Sequence, residues 1–371
     1  MPSPHLAHLL KPDHSLADGA SMFTRTFKKR IWSSVAVLVL ARASVACPAD
    51  DPSNPADSDS TYTTVMAAVK FTGQSLPSLP EIAVRVDAGP TLAGYTIRRT
   101  VPEVRIQFTV ADDRGRLMRS LTGSDFRVLD NRSAVSHIGN FSRLDDLPLQ
   151  IGILVDVSDS VHKTAEREKK AAEYFLQHVL RPQTDRASLL AFSSEIKLWQ
   201  RSTGERDALF QALANMRQLG YATYLYDSVY RACREQFPAR EYGDIAQRIL
   251  VLITDGDDNG SLHSLADAVA AAQRKEIQIF ALSVHSPRFV SDGDGILRRM
   301  ADDTGGQFYV AGSEKDFPAI FAAMELQMRT QYAVSFQPGE QTPGFHSVKI
   351  ETAGQQGLRV HARQGYFYDA P

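Results

Sequence analysis

The strongest constraint on the fold of this chain comes from two uninterrupted nonpolar runs, each followed by an acidic residue. Residues Ile151–Val155 precede Asp156, and residues Ile249–Ile253 precede Thr254 and Asp255. Runs of this kind indicate strands that are buried on both faces, as in the parallel sheets of α/β proteins. Open α/β sheets bind ligands at the carboxyl ends of their strands, so both carboxylates are predicted to lie at one functional edge.

The region between residues 148 and 330 alternates predicted strands with predicted helices. Strands are predicted at 149–155, 187–192, 248–254, 277–284 and 307–310. Helices are predicted at 161–180, 205–217, 224–236, 262–274, 294–303 and 314–328. This alternation predicts an α/β domain with a doubly wound, mostly parallel sheet and helices on both faces.

The segments that flank this region are predicted to form strands. Val104, Ile106 and Phe108 alternate with polar residues, which is the period of a half-buried strand. Short nonpolar stretches also recur in residues 331–371. A β unit of this size is marginally stable alone, so we expect a small β-rich module that packs on the larger domain. Whether the tail completes the same module stays open at this point.

The first 47 residues carry the features of an export signal. The basic residues of Arg25–Arg30 precede the nonpolar stretch Ile31–Ala41, and the small residues Ser44–Ala46 follow. These features predict an exported protein that is periplasmic, in the cell envelope or extracellular. A retained membrane anchor, lipidation at Cys47 and a start at Met22 stay open. Residues 48–95 contain a polar, acidic stretch with prolines and are predicted to be a disordered linker.

Composition and missing motifs exclude several classes of function. The formal net charge of −2 argues against nucleic acid as a main partner. The two cysteines, Cys47 and Cys233, support neither a disulfide framework nor a cysteine-rich zinc site. The glycine-rich nucleotide motifs, the serine hydrolase motif and the zinc protease motif are absent from the sequence.

Hard oxygen ligands are concentrated at the predicted functional edge. Asp156, Ser158 and Ser160 share one loop, Thr223 lies in a loop before a predicted helix, and Asp255 follows the second buried strand. Such a set suits Mg²⁺, Mn²⁺ or Ca²⁺. The serines could instead cap a helix, and the acids could be hydrogen-bonded without a metal. Two carboxylates at adjacent strand ends repel each other, which favours a cation or a raised pKa.

Two other motifs fit less well. The string that begins at Asp255 has the opening pattern of a calcium-binding EF-hand loop, but Ala266 stands where that loop needs a bidentate glutamate. The loop after Asp156 also has the position of an aspartyl phosphatase loop. Ser158 stands where that chemistry uses a second carboxylate as a general acid, and a hydroxyl cannot replace it at neutral pH.

In combination, the ligand set resembles the metal-ion-dependent adhesion site of von Willebrand factor type A domains. The residues that match that pattern are Asp156, Ser158, Ser160, Thr223 and Asp255. The resemblance covers residues 148–330, and the flanks resemble those of a bacterial subgroup of exported proteins. Asp159 departs from the pattern because relatives often carry a small neutral residue there.

The resemblance implies a protein-binding module rather than an enzyme. It implies Mg²⁺ as the cofactor, with Mn²⁺ or Ca²⁺ as alternatives, and an unidentified partner protein whose acidic side chain completes the metal sphere. A metal-activated hydrolase and an inert envelope scaffold stay open as alternatives. The expected division is an N-terminal extension with the export signal (1–47), a linker (48–95), a β-rich module (96–147), the type A-like domain (148–330) and a β-rich tail (331–371).

Overall fold

The structure is a computed structural model that describes residues 103–145, 147–158, 162–240, 244–285, 292–354 and 356–369. All of these residues belong to one compact unit. The predicted export signal with Met22 and Cys47, the predicted linker, Asp159 and Ser160 lie outside the described residues.

The described part of the chain begins and ends with strands, and strands and helices alternate between them. The strands are β1 (Val104–Ala111), β2 (Phe126–Asp130), β3 (Ser133–Ala134), β4 (Ile138–Arg143), β5 (Leu149–Asp156), β6 (Arg186–Phe192), β7 (Ile196–Thr203), β8 (Gln247–Ile253), β9 (Ile277–Ser283), β10 (Phe308–Val310), β11 (Tyr332–Phe336), β12 (Gly344–Thr352), β13 (Arg359–Ala362) and β14 (Gly365–Tyr368). The α-helices are α1 (His162–His178), α2 (Arg206–Ala214), α3 (Leu225–Glu235), α4 (Leu265–Arg274), α5 (Asp292–Thr304) and α6 (Phe317–Arg329). None of the described helices is long and apolar enough to cross a membrane.

The central sheet has the strand order β10-β9-β8-β5-β6-β7. All neighbouring pairs in it are parallel except β6 and β7. The strands of the two nonpolar runs, β5 and β8, are direct neighbours, and Val155 lies opposite Ile253. The mostly parallel α/β fold is therefore confirmed.

Helices cover both faces of the central sheet, and each face has its own hydrophobic core. Ile153 and Val155 of β5 pack in one core with residues of α1, α2 and α6. Leu154, between them in the chain, packs on the other face with residues of α3, α4 and α5. Complete burial of such a side chain contributes about 1.5–3 kcal/mol, so a strand between two helical layers must be nonpolar at nearly every position.

The segments on either side of the α/β region form two four-stranded sheets. Their strand orders are β13-β1-β11-β4 and β14-β12-β2-β3. Strand β1 lies between β11 and β13, so both of its neighbours come from the C-terminal tail. Side chains from these sheets share a third core, in which the rings of Phe108 and Phe126 meet edge to face at 5.0 Å. The flanks therefore form one β sandwich, which answers the question that the sequence leaves open.

One buried ion pair joins several elements of the α/β region. Arg329, at the end of α6, donates from Nη2 to Oδ2 of Asp185 at 2.6 Å. Asp185 is fully buried and Arg329 is 6% exposed. The same carboxylate accepts hydrogen bonds from the backbone N–H groups of Leu149, at 3.0 Å, and Arg181, at 2.9 Å. Asp185 thereby connects the starts of β5 and β6 with the end of α6.

Candidate metal centre

The candidate site lies at the carboxyl edge of the central sheet. Asp156 is the last residue of β5, and Asp255 follows the end of β8 by two residues. Because β5 and β8 are adjacent and parallel, both acids leave the sheet at the same edge. Ser158 lies in the loop after β5 and is buried, whereas Asp255 is partly exposed.

Asp156 is held in one orientation by its neighbours. Thr254 donates from its hydroxyl to Oδ2 of Asp156 at 2.7 Å, and the backbone N–H of Ser158 donates to Oδ1 at 2.9 Å. Asp156 is only 2% exposed and Thr254 is fully buried. The sequence motifs give Thr254 no role. Its hydroxyl fixes the carboxylate that would make the main anionic contact with a metal.

Thr223 is fixed against the loop that carries Asp255. The backbone N–H of Thr223 donates to Oδ1 of Asn259 at 2.9 Å, and the backbone N–H of Asn259 donates to the Thr223 carbonyl at 3.0 Å. In the same loop, Asp258 accepts a hydrogen bond from the backbone N–H of Leu225 at 2.8 Å. This carboxylate therefore caps the start of α3 and links that helix to the loop.

Four of the five predicted ligands are therefore brought to one edge of the sheet. These are Asp156, Ser158, Thr223 and Asp255. Ser160 lies outside the described residues, and its participation stays a prediction.

The ionised form of Asp156 is electrostatically unfavourable at this edge when no cation is bound. Burial raises the pKa of Asp156 to about 6, and the negative charge of Asp255 adds to the rise. The hydrogen bonds from Thr254 and Ser158 oppose it, since they stabilise the ionised form.

A third carboxylate, which the sequence motifs do not identify, lies near the site. Glu168 of α1 is only 3% exposed. Burial raises the pKa of Glu168 well above its ordinary value, and the charges of Asp156 and Asp255 raise it further. Helical spacing could have identified this residue, because Glu168 lies three positions after Ala165 and four before the buried Ala172.

The donor set fits a hard divalent cation. Its members are carboxylate and hydroxyl oxygens, and no soft ligand is among them. No group of three or more histidine, cysteine, aspartate or glutamate side chains in the described part of the chain is arranged to hold a metal. A metal at this edge would therefore need the hydroxyls of Ser158 and Thr223 beside the two aspartates, with Glu168 outside the inner shell.

Chelated, metal-free protein is expected to lose stability as the pH rises from about 4 to about 7. The pKa of Asp156 rises from 3.8 to about 6 on folding, so in this range the folded state holds more protons than the unfolded state and the free energy of unfolding falls. The contribution of Asp156 is about 3 kcal/mol. Urea denaturation in EDTA across this pH range measures the fall, and Asp156→Asn should reduce it. An unchanged pH dependence in that variant would contradict the prediction.

Comparison with known proteins gives one family match. Residues 150–323 match the family model described as the von Willebrand factor type A domain. No curated protein matches the chain.

Several solved structures are similar to about half of the chain. The conserved hypothetical protein BatB from Bacteroides thetaiotaomicron is 19% identical, with a TM-score of 0.40 over 49% of this chain and 100% of that chain. Proximal thread matrix protein 1 from the mussel byssus, with a zinc-occupied MIDAS motif, is 14% identical, with a TM-score of 0.41 over 50% of this chain and 48% of that chain. An aerotolerance-related membrane protein from Bacteroides fragilis NCTC 9343, with multiple mutations to serines, is 17% identical, with a TM-score of 0.40 over 48% of this chain and 98% of that chain.

Proposed function

Because residues 150–323 are a von Willebrand factor type A domain, we propose that this chain binds a partner protein through a divalent cation. The proposed metal ligands are Asp156, Ser158, Ser160, Thr223 and Asp255. The observation that carries the proposal is the pair of aspartates at the ends of adjacent strands, one of them buried and held by Thr254 and Ser158. The protein is proposed to be exported and to have no catalytic residue of its own.

Each ligand has a distinct proposed role. Asp156 supplies the main anionic contact, Ser158 and Ser160 coordinate directly, and Thr223 and Asp255 coordinate directly or through water. Mg²⁺ is the first choice, with Mn²⁺ and Ca²⁺ as alternatives. Few of the proposed ligands carry a formal negative charge, so the cation stays electrophilic, and five protein ligands leave room in its coordination sphere for water or for an acidic side chain of the partner. When bound, the cation supplies the positive charge that attracts this acidic group.

Exposed nonpolar side chains near the candidate site support a role in protein binding. Tyr221, two residues before Thr223, is 84% exposed, and Leu262, in the loop after Asp255, is 94% exposed. The backbone N–H of Leu262 donates to the carboxylate of Asp227 at 3.1 Å, so its loop is held in place. Large nonpolar groups on fixed loops are typical of surfaces that a partner covers.

Metal binding is expected to raise the melting temperature of the protein. At about one hundred times the dissociation constant, a ligand adds about 2.7 kcal/mol to the native state, which corresponds to a rise of several degrees. The test titrates Mg²⁺, Mn²⁺ and Ca²⁺ into chelated protein that lacks residues 1–47. Asp156→Ala should abolish the rise. Asp257→Ala is the matched control, since Asp257 is an exposed acid of the same loop that is not a proposed ligand.

Partner binding is tested with the same variants. Metal-loaded protein should retain partners that chelation with EDTA releases, and Asp156→Ala should retain none of them while Asp257→Ala does. No shift in melting temperature with any of the three cations would exclude the metal-dependent mechanism. A partner that stays bound in EDTA would favour the inert scaffold instead.

A further inference from the structure

A cluster of arginines lies where the β sandwich meets the amino edge of the central sheet, opposite the candidate metal centre. Its basic members are Arg105, Arg240, Arg248 and Arg363, and its acidic members are Asp244 and Glu276. Among the residues that the structure describes, four guanidinium groups against two carboxylates leave two positive charges without a balancing group. This surplus is the first observation that points to an anion.

Both carboxylates of the cluster are already paired within the α/β domain. Arg240 donates from Nε to Oε2 of Glu276 at 2.8 Å. Arg248, on β8, donates from Nη2 to Oδ2 of Asp244 at 3.1 Å. Both acidic groups of the cluster are therefore paired with arginines of the α/β domain.

The two arginines of the β sandwich have no such pairing among the described residues. Arg363, directly after β13, donates to the carbonyls of Gln273 at 3.2 Å and Arg105 at 2.8 Å. A carbonyl solvates a guanidinium without neutralising its charge. Burial lowers the pKa of Arg105, and the positive charge of Arg240 lowers it further, while the charges of Glu276 and Asp244 oppose the change.

Several buried donors in the same place lack an acceptor in the described part of the chain. They are Nε of Arg363, Nε2 of Gln107, Nε of Arg248 and Nη2 of Arg240. An unsatisfied buried donor costs about 1–3 kcal/mol, and native proteins contain few of them. Two of them, Nε of Arg363 and Nε2 of Gln107, belong to residues that line one cavity, which indicates a missing acceptor there.

A small cavity lies beside two of these donors. It is lined by Arg105, Gln107, Glu276, Gln278, Thr304 and Arg363, and its volume is about 10 Å³. The Gln278 and Thr304 side chains are already hydrogen-bonded, to the carbonyls of Gly305 at 2.9 Å and Met300 at 2.8 Å. Arg105, Gln107 and Arg363 offer donors to an occupant, the Glu276 carboxylate also lines the cavity, and a cavity of this volume admits one small occupant.

We propose that this cavity binds a monatomic anion of the halide class, with chloride as the common example. The charge surplus favours an anion over water, and the small volume favours a monatomic anion over phosphate or sulfate. Arg105 and Gln107 belong to β1 and Arg363 directly follows β13 of the same sheet, whereas Glu276 belongs to the α/β domain. The anion therefore stabilises the contact between the sandwich and the domain. This site is independent of the proposed metal centre.

The test compares melting temperatures of the purified protein in sodium chloride and sodium gluconate at equal ionic strength, with EDTA present. Chloride should give a saturable rise of roughly 2 °C or more, and bromide should act similarly. Sulfate should give no saturable rise of this kind. Equal melting temperatures in chloride and gluconate would overturn the proposal and leave an ordered water as the occupant.

A charge-mimicking variant identifies the site. Gln107→Glu places a carboxylate beside Arg363, so the variant should gain stability in gluconate and lose the response to chloride. Gln177→Glu changes the net charge equally on the exposed face of α1 and should keep the wild-type response. A chloride response that survives in Gln107→Glu would overturn the proposal.

A second measurement does not depend on how the variant folds. Crystals of the wild-type protein grown or soaked in bromide should show an anomalous scattering peak between Gln107 and Arg363. Ordinary water density at that position would overturn the proposal.

Discussion

Replacement of Asp185 by asparagine is expected to lower the free energy of unfolding by about 3–5 kcal/mol. The asparagine side chain would keep the size of the native side chain but not its charge, and the buried Arg329 would then keep only the partly exposed carboxylate of Glu325, at 3.2 Å, as an ionic partner. The backbone N–H groups of Leu149 and Arg181 would also lose a charged acceptor. Urea denaturation at neutral pH measures the loss.

Two further variants separate the buried pair from ordinary surface charge. Glu235→Gln removes the acid of an exposed ion pair with Arg231 and should change stability by less than about 1 kcal/mol. Asp185→Asn combined with Arg329→Met should recover part of the loss, because no buried charge is left unpaired. If Asp185→Asn lowered the free energy of unfolding as little as Glu235→Gln, the buried pair would contribute no more to stability than a surface pair.

Gly256→Ala is expected to lower the free energy of unfolding by about 2–5 kcal/mol. Gly256 has a φ of +88°, and a Cβ atom there would lie 2.5 Å from the carbonyl oxygen of Gly293. Backbone is present on both sides of this contact, so neither side can move easily. Because Gly256 follows Asp255, we also expect the metal-dependent rise in melting temperature to be reduced.

Gly295→Ala is the matched control for this substitution. Gly295 lies two residues after Gly293 in α5, and a Cβ atom there would meet nothing within 4 Å. Alanine at this helical position should raise stability by about 0.5–1 kcal/mol. Thermal and urea unfolding of both variants, with and without Mg²⁺, provide the comparison. Gly256→Ala with wild-type stability would show that the loop and α5 can separate.

The fold class could be predicted because its signal is local and repeated. Burial on both faces requires nonpolar runs such as Ile249–Ile253. The helices between such runs show nonpolar residues at helical spacing, which is visible in the sequence. The sequence pattern predicts no strand at β7. This element is an antiparallel edge strand whose pairing with β6 is irregular, and its side chains are half-buried or exposed, so its residues lack a clear alternation.

Only those site residues could be predicted whose residue type, at a strand end, itself indicates a metal ligand. Asp156 and Asp255 are acids after nonpolar strands, and both are found at the expected edge. The roles of Thr254 and Asn259 depend on contacts between loops that are distant in the chain, which no local pattern specifies. Glu168 lies within a run of charged residues, and only its spacing from the nonpolar face distinguishes it from its exposed neighbours.

The arrangement of the β sandwich has a consequence for the order of folding. Among the described strands, β1 pairs with β11 and β13, both from the C-terminal tail, so these contacts have a high sequence separation. Loop-closure entropy must be overcome before these contacts form, unless the intervening α/β domain folds first and brings the ends together. On a chain that is still being synthesised, β1 lacks both of its partner strands and β2 has only the short β3 beside it, so both expose strand edges of the kind on which aggregation begins. The last forty or so residues of the chain thus complete a structure that its first strands cannot form without them.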